Sequence, residues 1–119
     1  MAGQQTKGLK RIINAAFYSY AGFKAVWKHE EAFRQELLLL LITAPLALWL
    51  TVNNIERLLL IGSIVFVLVV ELLNSAVETA IDRIGPEHHE LSGRAKDIGS
   101  AAVMLSLALA ALTWSLILI

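Results

Sequence analysis

Glu71, Asn74, Glu78 and Asp82 follow one another at intervals of three, four and four residues inside an otherwise apolar stretch. At 100° per residue they fall within roughly 80° of one another on a helix. A carboxylate placed in hydrocarbon costs about 2.5–3.5 kcal/mol on insertion scales, so such groups normally face a protein interior and mark a functional path. The plain structural alternative is a polar clasp between helices, with Asn74 bonding a neighbour.

Depth separates the roles these groups could play. A span starting near Leu58 puts Glu71 about 20 Å and Glu78 about 30 Å along the helix axis. Glu71 then lies within the inner leaflet and Glu78 at its boundary with water. Glu30, Arg34, Gln35 and Glu36 precede the first long apolar run, and Arg94, Lys96 and Asp97 precede the last, so they reach the same level. Acids, bases and amides converging at one depth suit a reaction between a water-soluble anion and a lipid headgroup. Boundary carboxylates suit a hard divalent cation, which prefers oxygen ligands. Lys and Arg suit phosphates. The deeper Glu71 suits proton abstraction from a lipid hydroxyl, because a carboxylate partly removed from water is a better base near neutral pH. A proton-coupled transporter would also want a membrane carboxylate.

The elements that must position these groups are helices in a membrane. Of the 119 residues 57% are hydrophobic and only 17% charged, against roughly a quarter charged in a soluble domain. Residues 37–55 and 98–119 carry no charge, and 58–70 is a further apolar run that continues past Glu71. A membrane helix needs about 20 apolar residues. Residues 1–36 and two short loops cannot cover three such helices in water. The expected architecture is all-α: one unit over 1–119, with an N-terminal amphipathic surface helix near 7–28 and transmembrane helices near 33–53, 56–83 and 93–119. The surface helix rests on Leu9, Ile12, Ile13, Ala16, Phe17, Tyr20, Phe23, Val26 and Trp27, which recur at three- and four-residue steps opposite most of the basic residues. Packing of that stripe on another subunit is the alternative. Six Lys and Arg in the N-terminal segment and three in the second loop, against Arg57 alone in the first loop, place the N-terminus inside and the C-terminus outside.

Other chemistries are weak or excluded. Net charge is zero and Cys is absent, which removes a bulk electrostatic case for nucleic acid and any thiolate site. Gly3 and Gly8 have Walker A spacing, but Leu9 follows where Lys is needed. Adjacent His88 and His89 are poor zinc ligands and His29–Glu30 is no better as a metal pair. An i,i+4 ion pair is a fair reading of Glu30 and Arg34. Pro45 reads as a tolerated kink. A cleaved secretory leader is not expected, because the first apolar run starts only after residue 36.

The stretches EEAFRQE (30–36), VELLNSAVETAIDRIG (70–85) and HELSGRAKDIGSAA (89–102), with RIINAA from Arg11 and the TW pair at 113–114, closely resemble the bacterial integral-membrane diacylglycerol kinase family. The resemblance runs along essentially the whole chain. It implies a homotrimer in the bacterial inner membrane with one surface helix and three membrane helices per subunit, passing the γ-phosphate of ATP to diacylglycerol. It also implies roles. Glu71 would be the general base for the lipid 3-hydroxyl, and Glu30 and Glu78 would hold Mg²⁺. Arg11, Tyr18, Glu87, His88, His89, Lys96 and Asp97 would line the nucleotide site together with those two carboxylates. Arg11, Arg34, Gln35, Glu36, Ser100 and Trp114 would contact lipid with Glu71, and Asn74 and Asp82 would support the site. The chain departs from the family pattern at Tyr20, Pro86 and His88.

Three readings therefore stand: a diacylglycerol kinase, a sister kinase acting on undecaprenol, and a small proton-coupled transporter. A transporter wants its polar face to continue across the bilayer, and the outer halves of all three apolar runs lack charge. The overall likeness favours diacylglycerol.

Overall fold

In the computed structural model, residues 7–85 and 89–119 are described, and they form four helices: α1 (Leu9–His29), α2 (Glu31–Leu50), α3 (Asn54–Ile84) and α4 (Glu90–Leu118). The last three are each long and apolar enough to cross a membrane. α2 ends three residues before the end of the expected span 33–53, and α4 begins three residues before the expected 93–119. Both shifts reflect side-chain caps, which apolar run length does not register.

α3 is the central element, with α2 and α4 packed against it. Leu60, Ile64, Val67 and Leu68 on α3 are buried, as is Ala110 on α4; Leu40 and Trp114 pack on Ile64, Val67 and Ala110. The Trp114 indole donates to the Leu60 carbonyl at 3.0 Å. The buried hydroxyls of Ser63 and Ser106 donate to carbonyls of their own helices, Leu60 at 2.9 Å and Val103 at 2.7 Å, so they enter the apolar contact without an orphaned donor. Pro45 sits inside α2 without ending it.

At 31 residues α3 extends about 46 Å, longer than the roughly 30 Å hydrocarbon core. Its apolar start fills the core, so its last turns, with Glu78, Asp82 and Arg83, stand beyond it.

The α2–α3 turn holds itself together. The Asn53 side chain accepts from the Ile55 and Glu56 amides, at 2.9 and 3.1 Å, as an N-cap residue should. Arg57 donates to the Thr51 and Leu48 carbonyls at 2.9 and 2.8 Å, capping the C-terminal end of α2. Thr51 donates to Glu56 at 2.5 Å.

At the other end, α1 and α2 are separated by one extended residue, Glu30 (φ −118°, ψ 105°). Arg34 donates back to the Trp27 and Lys28 carbonyls at 2.5 and 3.4 Å. The expected Glu30–Arg34 ion pair does not form: the guanidinium caps the last turn of α1, and Glu30 turns to α3. No residue of α1 is buried by the rest of the chain. Leu9, Ile12, Phe17, Phe23 and Trp27 are exposed, as are Leu41, Trp49, Met104, Leu105 and Leu116 on α2 and α4. Apolar exposure on this scale is untenable in water.

Candidate active site

One end of the bundle gathers seven of the expected polar residues. Glu71 is buried, 4% exposed, and Glu36 on α2 is buried beside it, with the two carboxyl groups within hydrogen-bonding reach of each other. One Glu36 oxygen, Oε1, has no partner among the described residues. One turn on, Asn74 lies next to Glu71 and donates through Nδ2 to Glu78 Oε1 at 2.8 Å. The extended backbone at Glu30 lets its side chain reach α3, where the buried Ser75 hydroxyl donates to Glu30 Oε1 at 2.9 Å. A further turn out, Lys96 on α4 pairs with Asp82 at 3.0 Å.

Two clefts open between α1 and α3. The larger, of about 1200 Å³, has polar walls including Glu30, Ser75, Glu78, Thr79 and Asp82. The smaller, of about 640 Å³, is almost wholly apolar and is lined by Trp27, Phe33, Leu37, Val65 and Leu68, with Lys24 and Lys28 contributing chiefly their aliphatic stems. Phe23 and Leu72 line both, so the polar and apolar clefts abut. Glu71 lies in the wall of neither; it sits toward α2 beside Glu36.

The other expected site residues take no part in these contacts. Arg11 is exposed on α1, roughly 28 Å along the helix axis from Glu30, and Tyr18 is exposed on the same helix. Arg34 is committed to the α1 cap. Gln35, Asp97 and Ser100 are exposed. Trp114 lies in the opposite half of the bundle, in the α3–α4 contact. His89 is the N-cap of α4, accepting from the Leu91 amide through Nδ1 at 3.0 Å. Glu87 and His88 lie outside the described residues.

Three contributors escaped the sequence reading. Ser75 holds Glu30, and its position four residues after Glu71 was the available signal. The apolar cleft had none, because its walls come from three helices. Gly99 faces Asn74 across the α3–α4 contact, and its seven- and then four-residue spacing to Ser106 and Ala110 would have marked that face.

The donor set can be tested against a metal. Among the described residues, no three His, Asp or Glu side chains cluster as a ligand set. Glu30 and Glu78 share the polar cleft, and each has one oxygen in a hydrogen bond from a neutral donor. Two carboxylates with room for water and phosphate fit Mg²⁺, which is usually held by one or two carboxylates together with nucleotide phosphates. They do not make an all-protein cage.

Fold and site together define a multi-pass α-helical membrane protein whose polar chemistry is concentrated at one end of the bundle. The profile of the prokaryotic diacylglycerol kinase family matches residues 17–118, and the chain belongs to that family. It is 53% identical over 113 residues to the diacylglycerol kinase of Escherichia coli strain K12, covering 95% of this chain and 93% of that one. It is 50% identical over 114 residues to the diacylglycerol kinase of Haemophilus influenzae, with 96% and 97% covered. For the Pseudomonas aeruginosa diacylglycerol kinase the figures are 49% over 112 residues, with 94% and 91% covered.

Proposed function

We propose that the chain is a diacylglycerol kinase that transfers the γ-phosphate of ATP to the 3-hydroxyl of diacylglycerol, giving phosphatidic acid. The observation that carries this reading is that buried Glu71 and the cleft carboxylates Glu30 and Glu78, held by Ser75 and Asn74, gather at one end of the bundle, where an apolar and a polar cleft also meet. A lipid chain suits the apolar side of that end and a metal-bound polyphosphate the polar side. Membership of the family and the names of relatives covering nearly the whole chain support the same substrate.

In this reading Glu71 takes the proton from the lipid 3-hydroxyl. That oxygen forms a bond to the γ-phosphorus, the bond from the γ-phosphorus to the bridging oxygen breaks, and ADP leaves with the electron pair. Glu30 and Glu78 would hold Mg²⁺, with Ser75 and Asn74 orienting them; a divalent cation there would supply positive charge to offset that of the phosphates. Lys96 stands near the polar cleft through Asp82 and supplies positive charge to the nucleotide. Glu36, buried beside Glu71, would contact the lipid glycerol.

Arg11, near the start of α1 and roughly 28 Å along that helix from Glu30, stands away from these groups within one chain, and the outward faces of α2 and α4 are bare. Both support an oligomer, which we propose is a homotrimer with sites completed between subunits. The α1 stripe then rests on the inner membrane surface. The basic residues support an inner bacterial membrane topology with the N-terminus cytoplasmic and the C-terminus periplasmic. The whole of 1–119 acts as one catalytic unit.

The test offers purified protein, ATP and Mg²⁺ with diacylglycerol and undecaprenol side by side in mixed micelles. ATP-dependent phosphorylation of diacylglycerol in preference to undecaprenol is expected. Preference for undecaprenol makes it the sister kinase, and proton flux without phosphoryl transfer makes it a transporter.

A further inference from the structure

Gly99 lies in the interior of α4, where alanine is ordinarily the more stable residue. Its backbone is helical, so no special dihedral calls for glycine. The reason lies across the helix contact. A Cβ built at Gly99 would overlap Asn74 Oδ1 and come within 3.1 Å of Asn74 Cγ, whereas at Gly22, Gly62 and Gly93 it would meet nothing. Asn74 Oδ1 is buried with no hydrogen-bond partner among the described residues, while Nδ2 of the same carboxamide donates to Glu78. The amide therefore points its oxygen end-on at the α4 backbone beside Gly99, with its donor turned to Glu78. A methyl group at 99 would push the oxygen away and carry the donor with it.

We infer that Gly99 is a positioning residue for the polar cleft: the absence of a side chain there holds the Asn74 carboxamide in the pose that orients Glu78. The inference rests on the reading of Glu78 as a metal-binding carboxylate. Loss of a residue that orients a metal ligand typically lowers metal affinity 10–100-fold. Gly99→Ala should act on the cleft through Asn74 rather than on the fold.

The experiment uses the purified full-length chain in detergent micelles. Mn²⁺ affinity is measured by electron paramagnetic resonance, and the Asn74 side-chain amide is followed by NMR with ¹⁵N-asparagine. Gly99→Ala should shift the Asn74 amide signal, weaken Mn²⁺ binding about tenfold and raise the Mg²⁺ midpoint of activity to match, with kcat at saturating Mg²⁺ little changed. Asn74→Ala should weaken Mn²⁺ to a similar extent, the double variant Asn74→Ala with Gly99→Ala no further, and Gly62→Ala not at all. An unmoved Asn74 amide signal in Gly99→Ala overturns the inference, as do additive effects in the double variant. If Glu78→Gln leaves Mn²⁺ affinity unchanged, the metal reading of Glu78 fails instead, and the amide signal still decides whether Gly99 sets the Asn74 pose. Should Gly99→Ala not fold, the double variant removes the overlap: its recovery supports the inference and its failure to recover overturns it.

Discussion

The two ends of the helix bundle treat polar side chains in opposite ways. At the α2–α3 turn, Thr51, Asn53, Glu56 and Arg57 bond to one another or to backbone within nine residues along the chain. At the other end, Glu30 reaches Ser75 across 45 residues, Glu36 lies against Glu71 from a different helix, and two buried oxygens find no partner among the described residues. A buried polar group without a partner costs about 1–3 kcal/mol, so a fold has reason to avoid leaving one. The turn end is a structural cap. The carboxylate end keeps reactive groups close together and incompletely satisfied, which is what a site awaiting a ligand requires. The contrast also accounts for Arg57, the one basic residue in the loop assigned to the outside: its charge is committed to carbonyls at the end of α2.

The largest expected effect falls on the incompletely satisfied end. Glu71→Gln should lower kcat by about 10²–10⁴ while assembly is retained, since general-base loss has that scale. Turnover in mixed micelles and size-exclusion light scattering check this together. Near-normal turnover would remove Glu71 as the base and weaken the contrast between the two ends.

Glu78→Gln should act differently although it is two turns away. It keeps the side-chain volume and removes one negative ligand, so the Mg²⁺ midpoint should rise about 10–100-fold, while Glu71→Gln leaves that midpoint nearly fixed. Titrating Mg²⁺ at constant ATP and lipid separates them. A shift in Glu71→Gln and none in Glu78→Gln reverses the two roles.

Arg57→Ala probes the other end. It should leave kcat and the Mg²⁺ midpoint unchanged and lower stability by about 1–2 kcal/mol, because two well-formed hydrogen bonds to carbonyls are lost. Unfolding in SDS, followed by circular dichroism, measures it. A fall in kcat would mean that the outer turn communicates with the site.

Much of this contrast was legible in the residue order. The 3–4–4 spacing of Glu71, Asn74, Glu78 and Asp82 put them on one helix face, and charge-free runs marked three long helices, because both depend only on helical periodicity and length. What stayed hidden depends on which atoms meet across helices. Arg34 and Glu30 satisfy i,i+4 spacing, yet a one-residue break sends the guanidinium to the α1 carbonyls and the carboxylate to Ser75. The apolar cleft draws its walls from three helices, and periodicity within each is silent about the space between them. Gly99 needed the position of Asn74 to acquire a meaning.

The smallest expected effect concerns Trp114, which the family resemblance places on lipid and the fold places between helices. Its indole donates to the Leu60 carbonyl, and its ring packs on the buried contact of Ile64, Val67 and Ala110. The Leu60 carbonyl also accepts from Ser63, so losing the indole donor does not leave that carbonyl unpaired. Trp114→Phe keeps most of the apolar contact and removes the interhelical hydrogen bond. Such bonds average about 0.6 kcal/mol inside membranes, so the SDS unfolding midpoint should fall slightly, by less than in Arg57→Ala. A tryptophan that held the substrate would instead raise the KM for diacylglycerol and leave the unfolding midpoint where it was. Measuring both quantities on one preparation assigns the residue: a small stability loss puts Trp114 with the capped, structural half of the bundle, and a KM change extends the reactive half toward the outer leaflet.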